Sequence, residues 1–454
     1  MRKVGMVAVL VAAFLATPLF AGMASAGDGT NSGTITPVVE QGTTDRLGGG
    51  DWVVVHAGNT NFGVVYGTES NKNKVYIVAD YKRYIAGVDF YDAQGNLLRT
   101  KGVPVWNVFA QSFDRLVEFR DADGNHRFDM RQWDESGMGG DMPVKGLNLI
   151  QAWTLSGLTQ ETSNKVLFVN FTLSISNKTY TWKWNEMLKR PEMVLPPSSL
   201  GEVQRVALTF HIKVGVEDAT AEIPWFNVVI SGGDERRIQN RSFDGWREFT
   251  GQKVNMSVKY DHSIQGWDFA SNESNLLLET HMIYGRVVPR EMVEQYRMRS
   301  GSLACSGDCR QQDAEIGGES GEISKVPRTI QAPDRHGTIT FADDWDRVGR
   351  FTWKSDVTVD GQNEDMYFQV YGGGPYLFEY AHAASFGMSV VGAFVYPAGE
   401  SIFHDPGFEA ASYEFGIPTI TNLAPQTVLF LQLVVVLAAI VGAVLLRARR
   451  KGQQ

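Results

Sequence analysis

The chain has 454 residues, with 42 Lys and Arg against 51 Asp and Glu, a net charge of −9 and two cysteines. That length exceeds one ordinary domain, and two cysteines exclude a disulfide-rich scaffold. The acidic balance disfavours a nucleic-acid partner, whose phosphates need basic patches.

The chain opens "MRKVGMVAVLVAAFLATPLFAGMASA". Arg2 and Lys3, an apolar run and the Ala24-Ser25-Ala26 cleavage pattern have the layout of a secretory signal peptide over residues 1–26. Residues 27–47 read as a flexible N-terminal segment. From there to about 299 the pattern is that of strands, in short runs rich in Val, Ile, Tyr and Phe. "DAQGN" at Asp92–Asn96 predicts a hairpin turn. "VLFVNFTLSIS" places apolar residues at Phe168, Phe171 or Leu173 and Ile175, an imperfect alternation that predicts burial on both faces. "PREMVEQYRMR" predicts a short helix beginning at Pro289.

Residues 300–325 are rich in Gly and Ser and predict a long loop or linker. It holds Cys305 and Cys309, four residues apart, which an oxidising exterior favours as a small disulfide; free thiols and a metal site remain alternatives. Strand patterns resume over 326–415. Residues 416–426 then form a juxtamembrane stalk, and the apolar run Thr427–Leu446 is long enough to cross the ~30 Å hydrocarbon core as a helix. Arg447, Arg449, Arg450 and Lys451 follow, so residues 447–454 are predicted cytoplasmic and the body outside. The two ends carry six cations and no Asp or Glu, which leaves the body at −15.

The fold class predicted is all-β: a large antiparallel β-sandwich-type ectodomain over 48–299, a smaller second β module over 326–415, which could instead complete the sheets of the first, and one C-terminal transmembrane helix.

"VEFRDADGNHRFDMRQWDE" sets Asp121, Asp123, Asn125 and Asp129 at the first, third, fifth and ninth positions of a calcium-type loop, with the Arg127 carbonyl at the seventh. The match to EF-hand or dockerin-like loops is partial. Glycine stands fourth, as Gly124, where the pattern wants it sixth, and Gln132 stands twelfth where a bidentate acid is required. Two readings stand, a structural Ca²⁺ loop and a polar hairpin turn.

Catalytic signatures such as G-x-S-x-G, H-E-x-x-H and a phosphate-binding loop are absent from the sequence. The acid groups Asp343, Asp344 and Asp346, and His404, Asp405 and Glu409, are the candidates for a glycosidase pair. Trp182 and Trp184 share one strand face and read as core or as a sugar-stacking pair. Five N-x-[ST] acceptors, at Asn170, Asn177, Asn240, Asn255 and Asn272, point to a glycosylated surface.

The Pro-containing segment "FGIPTITNLAPQ", the apolar span and the arginine cluster resemble the C-terminal ends of exported prokaryotic surface proteins, particularly archaeal ones. In some of those families the tail is cut and exchanged for a lipid. The resemblance covers about the last forty residues and implies surface anchoring.

Together these features predict a non-catalytic, membrane-anchored extracellular protein. Its role would be structural, adhesive or binding, with Ca²⁺ as a structural ion and envelope proteins or glycans as partners. The alternatives are an anchored glycan binder or glycoside hydrolase and an accessory subunit of a membrane complex.

Overall fold

The computed structural model describes residues 35–45, 48–122, 124, 126, 128, 141–185, 187, 190–193, 201–232, 238–289, 314–316, 319–321, 329–330, 336–343, 346–354, 356–379 and 383–414. Three short strands come first: β1 (Val38–Thr44), β2 (Gly50–Ala57) and β3 (Thr60–Tyr66). The longer β4 (Tyr76–Tyr91) and β5 (Leu97–Arg120) follow, then β6 (Met142–Asn148), β7 (Thr154–Ser163), β8 (Val166–Thr179), β9 (Trp182–Asn185) and β10 (Arg190–Met193). The two longest strands, β11 (Glu202–Ile230) and β12 (Ile238–Gln265), precede β13 (Ser274–Pro289). Beyond them lie β14 (Ala314–Ile316), β15 (Glu319–Gly321), β16 (Thr329–Ile330), β17 (His336–Asp343), β18 (Asp346–Lys354) and β19 (Asp356–Val359). The last strands are β20 (Gln362–Asp365), β21 (Tyr367–Glu379), β22 (Ala383–Pro397), β23 (Ser401–His404) and β24 (Gly407–Glu414).

The described residues are thus all-β. There is no helix among them, and so none long and apolar enough to cross a membrane; the run 427–446 lies outside the described residues.

Pairing is antiparallel except where β4 runs parallel to β11, Trp225 standing opposite Gly87. One run of neighbours reads β1-β2-β3-β4-β5-β13-β22-β21. A second reads β7-β8-β11-β12, continued by β23 and β24 on the far side of β12, with β18 beyond β24. Strands from the C-terminal segment therefore pair directly with β12 and β13.

The apolar faces of the two runs meet in one core. Rings touch across it: Phe62 and Phe210 at 6.5 Å, Phe109 and Phe408 at 4.3 Å, Trp353 and Phe368 at 4.9 Å. β8 shows how the sequence does this. Leu167, Val169, Phe171, Leu173 and Ile175 are buried, with Asn170, Thr172 and Ser174 between them. The alternation is strict, and Phe168, which the sequence reading placed among the apolar positions, is 38% exposed; it sits on the outer face, where strand geometry puts every second residue.

Three further expectations are corrected. Residues 38–44 fall in the segment expected to be flexible, yet they pair along β2 from Val38 opposite His56 to Thr44 opposite Gly50. The Trp52 indole N–H also donates to the Thr43 carbonyl. Pro289 ends β13 opposite Ala383 and does not start a helix there; the rest of that predicted helix lies outside the described residues. Two strand patterns, "EVQRVALTFHIKVGV" and "WFNVVIS", are parts of the single β11. Between them Glu217–Glu222 is largely exposed and shows no apolar alternation, but backbone pairing to β12 carries the strand through.

The turn at Asp92–Asn96 is as expected. The Asp92 carboxylate accepts the amides of Gln94 and Asn96, and Gly95 takes φ 84°. At Gly87 a Cβ would stand 2.0 Å from the Trp225 ring, so only glycine lets β11 lay that indole over β4.

Phe109 stacks with both Phe351 and Phe408 and is fully buried. Phe109→Ala is expected to cost about 3–5 kcal/mol. Leu97→Ala, at a 56% exposed position, should stay within about 0.5 kcal/mol. Denaturant unfolding of the full chain, followed by tryptophan fluorescence, measures both.

Candidate functional site

The acidic loop leaves β5 at Arg120 and is held by its first carboxylate. Asp121 Oδ1 accepts the Gly124 amide at 2.9 Å, and Oδ2 accepts the His126 amide at 2.7 Å and the Asn275 side-chain amide at 3.2 Å. Gly124 and His126 both have positive φ, 69° and 54°, the conformations an Asp-capped turn requires. Asp141, itself buried, accepts the Ala122 amide.

The exit of the loop is docked on β21. The Phe128 amide donates to Gln369 Oε1 at 2.8 Å, and Gln369 Nε2 donates back to the Phe128 carbonyl at 3.1 Å. The His126 ring stacks on Tyr367 at 4.9 Å, and Phe128 packs on Phe119 at 5.0 Å. Of the four candidate ligands, Asp121 is in place with its carboxylate turned into the loop; Asp123, Asn125 and Asp129 lie outside the described residues. Among the described residues no group of three or more His, Cys, Asp or Glu is placed to hold a metal ion.

A second polar feature threads the core. The Tyr260 hydroxyl donates to Gln111 Oε1, Gln111 Nε2 donates to Thr280 Oγ1 at 3.0 Å, and Thr280 donates to the Ser112 carbonyl at 2.9 Å. Beside it, His262 Nδ1, Tyr396 OH and His404 Nδ1 form a chain with contacts of 2.9 and 3.3 Å, and His404 Nε2 donates to the Lys354 carbonyl at 2.9 Å. That last bond fixes the His404 tautomer, so Nδ1 accepts from Tyr396 and the tyrosine oxygen accepts from His262. Burial pushes His404 down to about 4. Burial, helped by His404, holds His262 well below its ordinary value. Both rings are buried, and the chain joins β12 to β22 and β23.

The remaining buried ions hold strands and loops. Glu118, fully buried, accepts the Trp267 indole and the Ala270 amide, with the Lys145 ammonium 3.7 Å away. Lys145 also donates to the Asp268 carbonyl and lies over the Tyr180 ring at 4.3 Å. Asp114 is bonded by Lys74 at 2.7 Å and stands 3.0 Å from His281; although burial raises it, these partners win and bring it to about 2. Asp80 has the Asn61 amide at 3.0 Å, and burial drives it up to about 7.

The acid groups considered for glycosidase chemistry are placed otherwise. His404 is in the core. Asp405 sits between Lys354 at 2.8 Å and Lys259 at 2.9 Å; burial would raise its carboxyl, but these two ammonium groups hold it below the usual range. A general acid needs the opposite shift. Glu409 pairs through its backbone with Ser257 and Arg350. Asp343 and Asp346 are backbone partners at the β17–β18 turn, and Asp344 lies outside the described residues. Trp182 and Trp184 are both half-buried, and Trp182 packs against the small apolar cluster that contains Val117, Phe119 and Leu277.

Of the glycosylation acceptors, Asn177, Asn240 and Asn272 are exposed. Asn170 faces the His211 ring at 2.7 Å, and the Asn255 amide donates to Glu217 at 2.8 Å, so both side chains are engaged. Cys305 and Cys309 lie outside the described residues. Gln369 as the anchor of the acidic loop was missed; an isolated Gln in a strand carries no local signal for a contact so distant in the chain.

No family model matches the chain, and no curated protein matches its sequence.

The Asp80 and His404 titrations oppose each other. Between about pH 4 and 7 the folded chain keeps the Asp80 proton that the unfolded chain has released, so stability falls as pH rises. Between about 6.5 and 4 the unfolded chain takes up a proton that His404 refuses, so stability falls as pH drops. Asp80→Asn removes the first effect. It should stabilise the chain at pH 8 by about 3–4 kcal/mol and make the loss on acidification steeper than in the parent, as read by denaturation midpoints across that range.

Proposed function

We propose that this is a non-catalytic, membrane-anchored surface protein whose β body stands outside the cell. Residues 1–26 direct export, 427–446 cross the membrane as one helix, and the basic tail 447–454 stays cytoplasmic. The resemblance of the tail to those of exported, particularly archaeal, surface proteins supports this topology. The two runs of strands are read as the layers of an antiparallel sandwich. The 326–415 segment is a smaller module attached by pairing to β12 and β13.

The observation that carries a structural or binding role over a catalytic one is where the buried ions go. Asp121, Asp141, Glu118 and Asp114 each hold backbone amides or neighbouring cations. These bonds stiffen loops and strand edges, which suits an envelope component bearing load or presenting a surface to envelope proteins or glycans. Exposed Asn177, Asn240 and Asn272 are the acceptors best placed for glycans, and Cys305 and Cys309 would close a small disulfide. The runner-up, an anchored glycan binder or hydrolase, would rest on Asp405 with Glu409 or on Asp343, Asp344 and Asp346. Although burial raises the Asp405 carboxyl, Lys354 and Lys259 hold it below its usual range and suit it to ion pairing.

The loop beginning at Asp121 is proposed to take a structural Ca²⁺, with Asp123, Asn125 and Asp129 as further ligands. Calorimetric titration of the full chain in detergent should give a Ca²⁺ isotherm, and a chelator should lower the melting temperature. Asp121→Ala should abolish both responses and cost about 1–3 kcal/mol on its own, because two backbone amides lose their acceptor. No heat at millimolar Ca²⁺ and no chelator shift would leave the stretch as a capped turn.

A further inference from the structure

One end of the β5-β4-β11-β12 ladder carries side chains that the core does not use. Phe243 and Trp246 on β12 are 55% and 59% exposed, and their ring centroids lie 6.4 Å apart. Phe243 also packs edge-on against Phe226 at 5.5 Å. Leu97 and Leu98, 56% and 44% exposed, stand at the same end. The register shows this: Leu97 is opposite Tyr91, Tyr91 opposite Val229, and Val229 opposite Asn240. A group of large exposed apolar side chains marks an interaction surface. Tryptophan and phenylalanine beside leucine suit the boundary between headgroups and acyl chains.

The chain leaves the described body toward this end. β24 runs from Gly407 opposite Lys259 to Glu414 opposite Gln252, that is, along β12 toward Trp246 and Phe243. At ~3.3 Å per residue, Trp246 is roughly 20 Å and Phe243 roughly 30 Å farther on. Residues 415–426 span at most about 40 Å, so the apolar run from Thr427 begins within reach of these rings. The opposite end of β12, at Gln265, lies roughly 43 Å behind the exit.

We propose that this end of the ladder docks into a phospholipid bilayer, with Phe243 and Trp246 at the headgroup–acyl boundary beside the point where the 427–446 span enters. The inference rests on the anchored topology above and adds a second, peripheral contact that fixes the tilt of the body. Arg247, next to Trp246, is bound by Asp244 at 2.8 Å and Asp89 at 2.9 Å. Docking is therefore apolar, and zwitterionic lipid suffices.

The test uses the full chain and its Trp246→Phe variant, each reconstituted into phosphatidylcholine vesicles with and without brominated acyl chains. The emission difference between the two proteins belongs to Trp246. Docking predicts that this difference is lost in the brominated vesicles. If the chain floats with the vesicles and the difference persists, the inference is overturned, whether Trp246 faces water or is covered by residues 415–426, a glycan or a second copy. A chain that fails to float overturns the anchored topology first, and this inference with it.

Discussion

The contact on which the fold depends is the stack of Phe109 on Phe408 at 4.3 Å, with Phe351, the cross-strand partner of Phe408, also stacked with Phe109 at 6.2 Å. It brings β5, from the first part of the chain, against β24 and β18, from the last. Once β24 is seated there, its pairing with β12 is set, and β23 follows on the same edge of β12. β22 is tied in the same way along β13. The apolar area closed between the runs is the main driving force at roughly 25 cal/mol per Å², and it can be gained only when both parts of the chain are present.

The same closure explains the polar seam. Gln111, Thr280, His262, Tyr396 and His404 are carried into the interior by strands whose neighbours are apolar. Each must find a partner there, since an unpaired buried polar group costs about 1–3 kcal/mol. The tyrosine between two histidines meets that need at both Nδ1 atoms, while His262 Nε2 has no hydrogen-bond partner among the described residues, and it links opposite runs. At Asp80, and at His404 and His262, burial outweighs hydrogen bonding, and the carboxyl and the imidazoles shift in opposite directions because one is anionic and the others cationic when charged.

Much of the strand content was legible in the sequence, because β8, β13 and β22 alternate or run apolar over lengths that suit strands, and Asp92–Asn96 has the turn chemistry its hairpin needs. What was not legible is long-range. The exposed middle of β11 has no apolar signature and is strand only because β12 lies beside it. Asp405 looked like half of an acid pair until Lys259 and Lys354, distant in sequence, were found on either side. His404 was grouped with Asp405 by sequence proximity, yet strand alternation turns it inward. Asp121 was singled out by spacing alone, and the structure adds what spacing cannot give: two backbone amides on its carboxylate and a docking strand for the loop exit.

The account stands on the orientation of the body relative to a membrane. It is tested by an impermeant maleimide on intact cells making the full chain in a Cys305→Ser, Cys309→Ser background. Asn272→Cys, in an exposed turn, should label at once, whereas Lys451→Cys should label only after the membrane is opened. Labelling of Lys451→Cys from outside, or of Asn272→Cys only after opening, would contradict the account.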